Sequence, residues 1–296
     1  MNFMTPAEVA AAACNAGKAK TELPFFKMLL LGILAGAYIG FGANLATKVG
    51  AAPDADSAVG IFLFGAVFSV GLMLVVIAGA ELFTGNNMAC FASACNGQAS
   101  WGGLLYNWVV VYIANFIGSV LLVYIIFLGA YWVTKDAKTG SLLLTGMGIK
   151  ALGIASAKMK LTWMAAFMRG ICCNWLVCLA VWMAFSAKDI IGKIFGIFFP
   201  IMAFVSSGFE HCVANMFFIP MGITIAQKAP ELVAGATKLN AAGEAVSIFN
   251  MTPDQVVAFF SYGNFINANL IPVTLGNIVG GALFVGGVYW LIYLKK

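Results

Sequence analysis

Ionisable side chains are scarce in this chain, and the few inside apolar runs gather at two places. One reads Gly79-Ala80-Glu81-Leu82-Phe83-Thr84-Gly85-Asn86. The other reads Ser207-Gly208-Phe209-Glu210-His211-Cys212-Val213-Ala214-Asn215. His211 is the sole histidine. An imidazole, with an ordinary pKa of about 6.5, exchanges a proton near neutrality and offers one donor and one acceptor. Charged groups are costly in hydrocarbon, so those retained at membrane depth are functional candidates. Thr84 and Asn174 offer neutral polar contacts. Glu81 and Glu210 are expected to tie down irregular backbone by accepting N–H bonds, because a carboxylate lining an anion path repels its cargo. Phe68, Leu72, Leu82, Phe83 and Phe204 lie on the same segments and suit apolar constrictions that exclude hydrated ions.

The elements that must position these groups are membrane helices. The 296 residues are 62% hydrophobic and 9% charged, whereas a soluble domain carries about a quarter charged residues. Six apolar segments approach or exceed the roughly 20 residues that cross a bilayer. They are 27–48, 58–95, 102–133, 161–186, 190–226 and 262–293. The second and fifth are too long for one straight span. Each holds a helix-breaking stretch, Gly85-Asn86-Asn87 and Ser206-Ser207-Gly208. Irregular backbone survives at that depth only inside protein or beside a watery cavity, which points to a pathway. Half-helix N-termini there suit anions.

The halves repeat in order. Gly32-Ile33-Leu34-Ala35-Gly36 corresponds to Gly170-Ile171-Cys172-Cys173-Asn174, and Asn115-Phe116-Ile117-Gly118 to Asn277-Ile278-Val279-Gly280. A unit of three spans reverses direction when copied. The expected fold class is therefore an all-α membrane protein of six helices in two inverted three-helix repeats, with helices two and five broken. Repeat one covers about 25–133 and repeat two about 161–293. Before this transmembrane domain (25–296), residues 1–24 form a short helix at the membrane surface or in the cytoplasm. Thr5-Pro6-Ala7-Glu8 has the pattern of a capping box, and no signal-peptide pattern precedes the first lysines.

Lys18, Lys20, Lys27, Lys188, Lys193, Lys295 and Lys296 fall on one side of a six-span chain. The excess of cations makes that side cytoplasmic, with both termini there and the protein in the inner membrane. Lys135, Lys138, Lys150, Lys158 and Lys160 oppose the trend from the outer loop, and attraction of an anion gives them a reason. No clustered basic patch supports nucleic-acid binding. Seven cysteines without a C-x-x-C pair, beside one histidine, argue against a metal or other cofactor. A membrane-bound enzyme using His211, Glu210 and Cys212 has no nucleotide loop or ligand set to support it. A neutral-solute channel of the aquaporin kind has no paired Asn-Pro-Ala motif here.

The run Val76-Ile77-Ala78-Gly79-Ala80-Glu81-Leu82-Phe83-Thr84-Gly85 resembles the first signature of the formate/nitrite transporter family, and residues Gly170 to Ala180 resemble the second. Gly208-Phe209-Glu210-His211, Ala214-Asn215-Met216 and Val273-Thr274-Leu275-Gly276-Asn277 add further matches. The resemblance implies a homopentamer of aquaporin-like protomers, each with its own pore for formate, nitrite, hydrosulfide or lactate-like anions. By motif position, Lys158 matches the family's vestibule lysine and His211 its central histidine, which links protons to transport. Thr84, Asn174, Glu210 and Asn277 match polar positions near the pore centre. Phe68, Leu72, Leu82, Phe83 and Phe204 fall at or beside its constrictions. The chain departs from formate-type members at Lys160-Leu161, where a histidine pair is common, and at Ala165, where a glutamate is frequent. Arg169, basic as in some nitrite-type members, stands where formate channels are usually apolar.

Overall fold

A computed structural model describes residues 3–239 and 244–295; Lys296, one of the orienting cations above, lies outside them. Among the described residues five helices are long and apolar enough to cross a membrane: Phe25–Val49, Ala58–Gly79, Trp101–Leu128, Trp163–Ser186 and Pro253–Tyr293. Ile190–Ser206 is apolar but shorter. Their outer faces expose Leu30, Phe62, Ile113, Leu121, Phe195 and Leu283, while Asn107, Asn115, Asn174, Asn269 and Asn277 are fully buried. Apolar outside and polar at the centre is the pattern of a chain whose solvent is lipid.

Two interruptions divide otherwise continuous helix. Helix Ala58–Gly79 stops at Gly79, whose φ of +94° ends it. Ala80 is extended, and helix resumes at Phe83 and continues to Cys95. Glycine takes this left-handed backbone without a Cβ penalty. The break therefore precedes Gly85-Asn86-Asn87, which lie inside helix Phe83–Cys95. Those asparagines stay helical because their side chains find partners there: Asn86 donates to Glu81 and Asn107, and Asn87 accepts from Asn174. The second interruption follows Ile190–Ser206, turns through Gly208 at φ +70°, and ends where helix Cys212–Lys228 begins.

The segment 134–160 is more than a solvated loop. After Trp101–Leu128 ends, Val133–Lys135 pairs antiparallel with Leu142–Leu144. Helix Gly146–Met159 then starts on a Thr145 cap and buries Met147, Ala151, Leu152 and Ala155, packing along Cys212–Lys228. That helix carries Lys158 inward. The N-terminal helix Pro6–Thr21 does the same for Lys20. Its capping box at Thr5 and Glu8 forms, it buries Val9, Ala10, Ala13 and Cys14, and Gly17 seats against the Ala89 backbone on helix Phe83–Cys95.

Candidate functional site

Each helix break is held by one buried asparagine from a neighbouring helix. Asn115 Oδ1 accepts the Phe83 N–H at 2.9 Å, and its Nδ2 donates to the Gly32 and Glu81 carbonyls at 2.8 and 2.9 Å. Asn277 Oδ1 accepts the Cys212 N–H at 2.8 Å, and its Nδ2 donates to the Gly170 and Glu210 carbonyls at 2.8 and 2.9 Å. The helix starts thus satisfy an N–H group that would otherwise be orphaned. This corrects the expected role of Glu81 and Glu210: asparagines, not these carboxylates, receive the backbone N–H groups.

The carboxylates are paired with lysines instead. Lys20 Nζ lies 2.7 Å from Glu81 Oε1, and Asn86 Nδ2 donates to Glu81 Oε2 at 2.8 Å and to Asn107 Oδ1 at 2.9 Å. At the other break Lys158 Nζ lies 2.8 Å from Glu210 Oε1, while Asn215 and Asn269 donate to Glu210 Oε2 at 2.7 and 3.1 Å. Asn215 also donates to Asn269 Oδ1 at 2.7 Å. The two networks match residue for residue. As members of these networks, Lys20, Asn86, Asn107, Asn215 and Asn269 were missed in the sequence; the equal eight-residue spacing of Asn107 from Asn115 and of Asn269 from Asn277 is the signal that finds two of them.

His211 caps helix Cys212–Lys228. Its Nδ1 accepts the Ala214 N–H at 3.0 Å, and its Nε2 lies 3.0 Å from Thr84 Oγ1. A ring nitrogen that accepts carries no proton, so these partners assign the neutral Nε2–H tautomer, with Nε2–H donating to Thr84. The ring stacks on Phe204 at 5.9 Å between centroids. Asn174 Nδ2 donates to the carbonyls of Thr84 and Asn277 at 3.2 and 2.7 Å, and to Asn87 Oδ1 at 3.2 Å. Asn174 and Asn277 therefore brace the centre rather than line a space.

Two cavities approach this centre. One, of about 230 Å³, is lined by Phe68, Phe204, Lys158, Arg169, Glu210 and His211 among others. The second, of about 460 Å³, is lined by Lys20, Leu72, Leu82, Glu81, Asn86 and Lys193 among others. Phe68 meets Phe204 edge-on at 5.8 Å. Phe83 lines neither cavity; its ring packs on Tyr112 and Trp108 at 4.8 and 6.2 Å. Among the described residues no group of three His, Cys, Asp or Glu could hold a metal ion.

Helices with lipid-suited exteriors, holding two cavities that approach one buried histidine, define a membrane transport protein. The family model described as "Formate/nitrite transporter" matches residues 7–291. A "Probable formate transporter" of Methanothermobacter thermautotrophicus is 44% identical, covering 100% of this chain and 99% of that protein. The "Formate channel FocA" of Escherichia coli (strain K12) is 37% identical, covering 100% of this chain and 96% of its own length. Among solved structures, a "Pentameric formate channel with formate bound" is 41% identical with a TM-score of 0.73, covering 92% of this chain and 98% of that one. The chain belongs to the formate/nitrite transporter family.

Proposed function

We propose that this protein carries small monovalent anions across the inner membrane, with formate first among them. The cavities form the two ends of one path through each protomer, in six spans arranged as inverted three-helix repeats, and five protomers assemble. Both termini face the cytoplasm. The observation that carries this reading is the buried Thr84–His211 hydrogen bond between two cavities, each floored by an equivalent Lys–Glu–Asn network. Relatives named formate transporter or formate channel, and the pentameric formate-bound neighbour, support substrate and assembly. Nitrite, hydrosulfide and lactate-like anions are the alternative cargoes.

Phe68, Phe204, Leu72 and Leu82 supply the apolar slits where an anion must shed water. A bare ion pays a far larger desolvation cost there than a neutral acid. His211 lowers this cost by proton exchange. Its neutral ring has one proton, on Nε2, and giving that up would leave an imidazolate. The ring must first accept, at Nδ1, a proton taken up from the side the anion enters, releasing the Ala214 N–H. The imidazolium then passes its Nε2 proton to the anion, and the neutral acid leaves by the far cavity. Anion and proton cross together. Proteoliposome flux with formate, nitrite, hydrosulfide and lactate at several pH values tests the reading. Saturable formate flux that rises as pH falls, above that of protein-free vesicles, is expected; glycerol flux without anion flux refutes it.

A further inference from the structure

Two cations and one carboxylate line each cavity. In the smaller cavity Lys158 is occupied: it is paired with Glu210 at 2.8 Å and lies over the Phe218 ring at 5.6 Å. In the larger cavity Lys20 is paired with Glu81 at 2.7 Å. These pairs present almost no net charge to an entering anion. What remains is one surplus cation per cavity. Arg169 lines the first and Lys193 the second, and neither side chain has an ion pair or hydrogen bond with any described residue.

The Arg169 backbone lies beside the helix break. Its own carbonyl accepts the Glu210 N–H, and the next carbonyl, of Gly170, accepts from Asn277. Its side chain is exposed and lines the cavity, which leaves the unpaired guanidinium open to an entering anion. Lys193 lies on the first turn of Ile190–Ser206 and is half-buried. Arginine and lysine also differ as anion partners. Guanidinium is a planar fork that matches two coplanar oxygens, whereas ammonium acts as a point charge.

We propose that Arg169 and Lys193, not the paired Lys158 and Lys20, recruit the permeating anion, one in each cavity, and that the Arg169 fork selects small planar oxyanions over hydrosulfide. This rests on the anion-transport reading above. The Lys–Glu pairs are structural clamps of the helix breaks. The unpaired cations make the first contact, and because neither is tied to a carboxylate, each can release the anion toward the slit.

The test uses the full-length protein in liposomes, with formate and hydrosulfide flux measured against concentration at low and high ionic strength. Arg169→Gln and Lys193→Gln should each raise the half-saturating formate concentration about tenfold, the effect of losing one charge-assisted contact. Each should also flatten the salt dependence, since exposed charges are screened at high salt. Arg169→Lys should keep the salt dependence but lose the preference for formate over hydrosulfide. Unchanged half-saturation and salt dependence in both Gln variants, at wild-type assembly size, overturn the proposal. An unchanged formate preference in Arg169→Lys overturns its selectivity part. Absence of any anion flux in the wild type overturns the transport reading instead, so the two failures are distinguishable.

Discussion

Replacing Lys158 with methionine leaves the Glu210 carboxylate buried without its cation. Lys158 Nζ sits 2.8 Å from Glu210 Oε1, and the two side chains are 16% and 4% exposed. Breaking a buried pair by removing one partner costs about 3–5 kcal/mol. Asn215 and Asn269 still donate to the second carboxylate oxygen, which holds the expected loss near the lower end, about 3 kcal/mol. At about 2 °C per kcal/mol for a chain of this size, the melting point of purified protein should fall by about 6 °C. Adding Glu210→Gln removes the orphaned charge while keeping an acceptor for the asparagines, so Lys158→Met/Glu210→Gln should recover more than half of the loss. The equivalent pair, Lys20→Met alone and with Glu81→Gln, should show the same order. Thermal unfolding followed by tryptophan fluorescence reads all four variants. A Lys158→Met protein that melts with the wild type, or a double variant less stable than the single, refutes the clamp.

Further outcomes follow from the same geometry. Asn277→Ala removes an acceptor for Cys212 and donors to two carbonyls; at about 1 kcal/mol per bond the loss is about 3 kcal/mol, visible as a lower melting point together with lost flux. Gly36→Ala drives a Cβ into the Asn115 backbone, whereas Gly153→Ala enters open space. The first should cost about 1–3 kcal/mol and the second should leave stability unchanged in the same melts. The Asp136 carboxylate is held below its ordinary 3.8 by the N–H groups of Thr139 and Lys138 in the hairpin turn. Its stabilisation of the turn is therefore complete above 3.8 and lost as pH falls through the lower folded value; hydrogen exchange of the Thr139 amide should accelerate there in excess of its intrinsic rate, and Asp136→Asn should blunt the change.

Much of the central chemistry was legible in the sequence because ionisable residues inside apolar runs are few. His211 and Glu210 stood out on that ground, with Thr84 beside Glu81 in the other cluster, and the structure brings Thr84 and His211 within 3.0 Å. The first helix break was misplaced by a few residues. Gly85-Asn86-Asn87 has the composition of a turn, yet both asparagines find side-chain partners within helix, and Gly79 makes the turn. Helix propensity is a local preference that buried side-chain partners override. The Lys–Glu pairs were hidden for a different reason. Lys20 and Glu81 are far apart in sequence and lie on separate elements, and no period or motif joins them. The folded N-terminal helix is what brings them together. Phe83 read as a constriction residue because it begins a half-helix, but its rotation toward Tyr112 and Trp108 follows from how that helix packs on Trp101–Leu128.

The most direct measurement compares formate flux of the wild type and His211→Phe in proteoliposomes between pH 5 and pH 8, each corrected for protein-free vesicles. We expect wild-type flux to rise as pH falls, and the phenylalanine variant, which has neither the Ala214 cap nor a proton to exchange, to lose that dependence. A His211→Phe protein with unchanged flux and unchanged pH dependence contradicts the central role of this histidine.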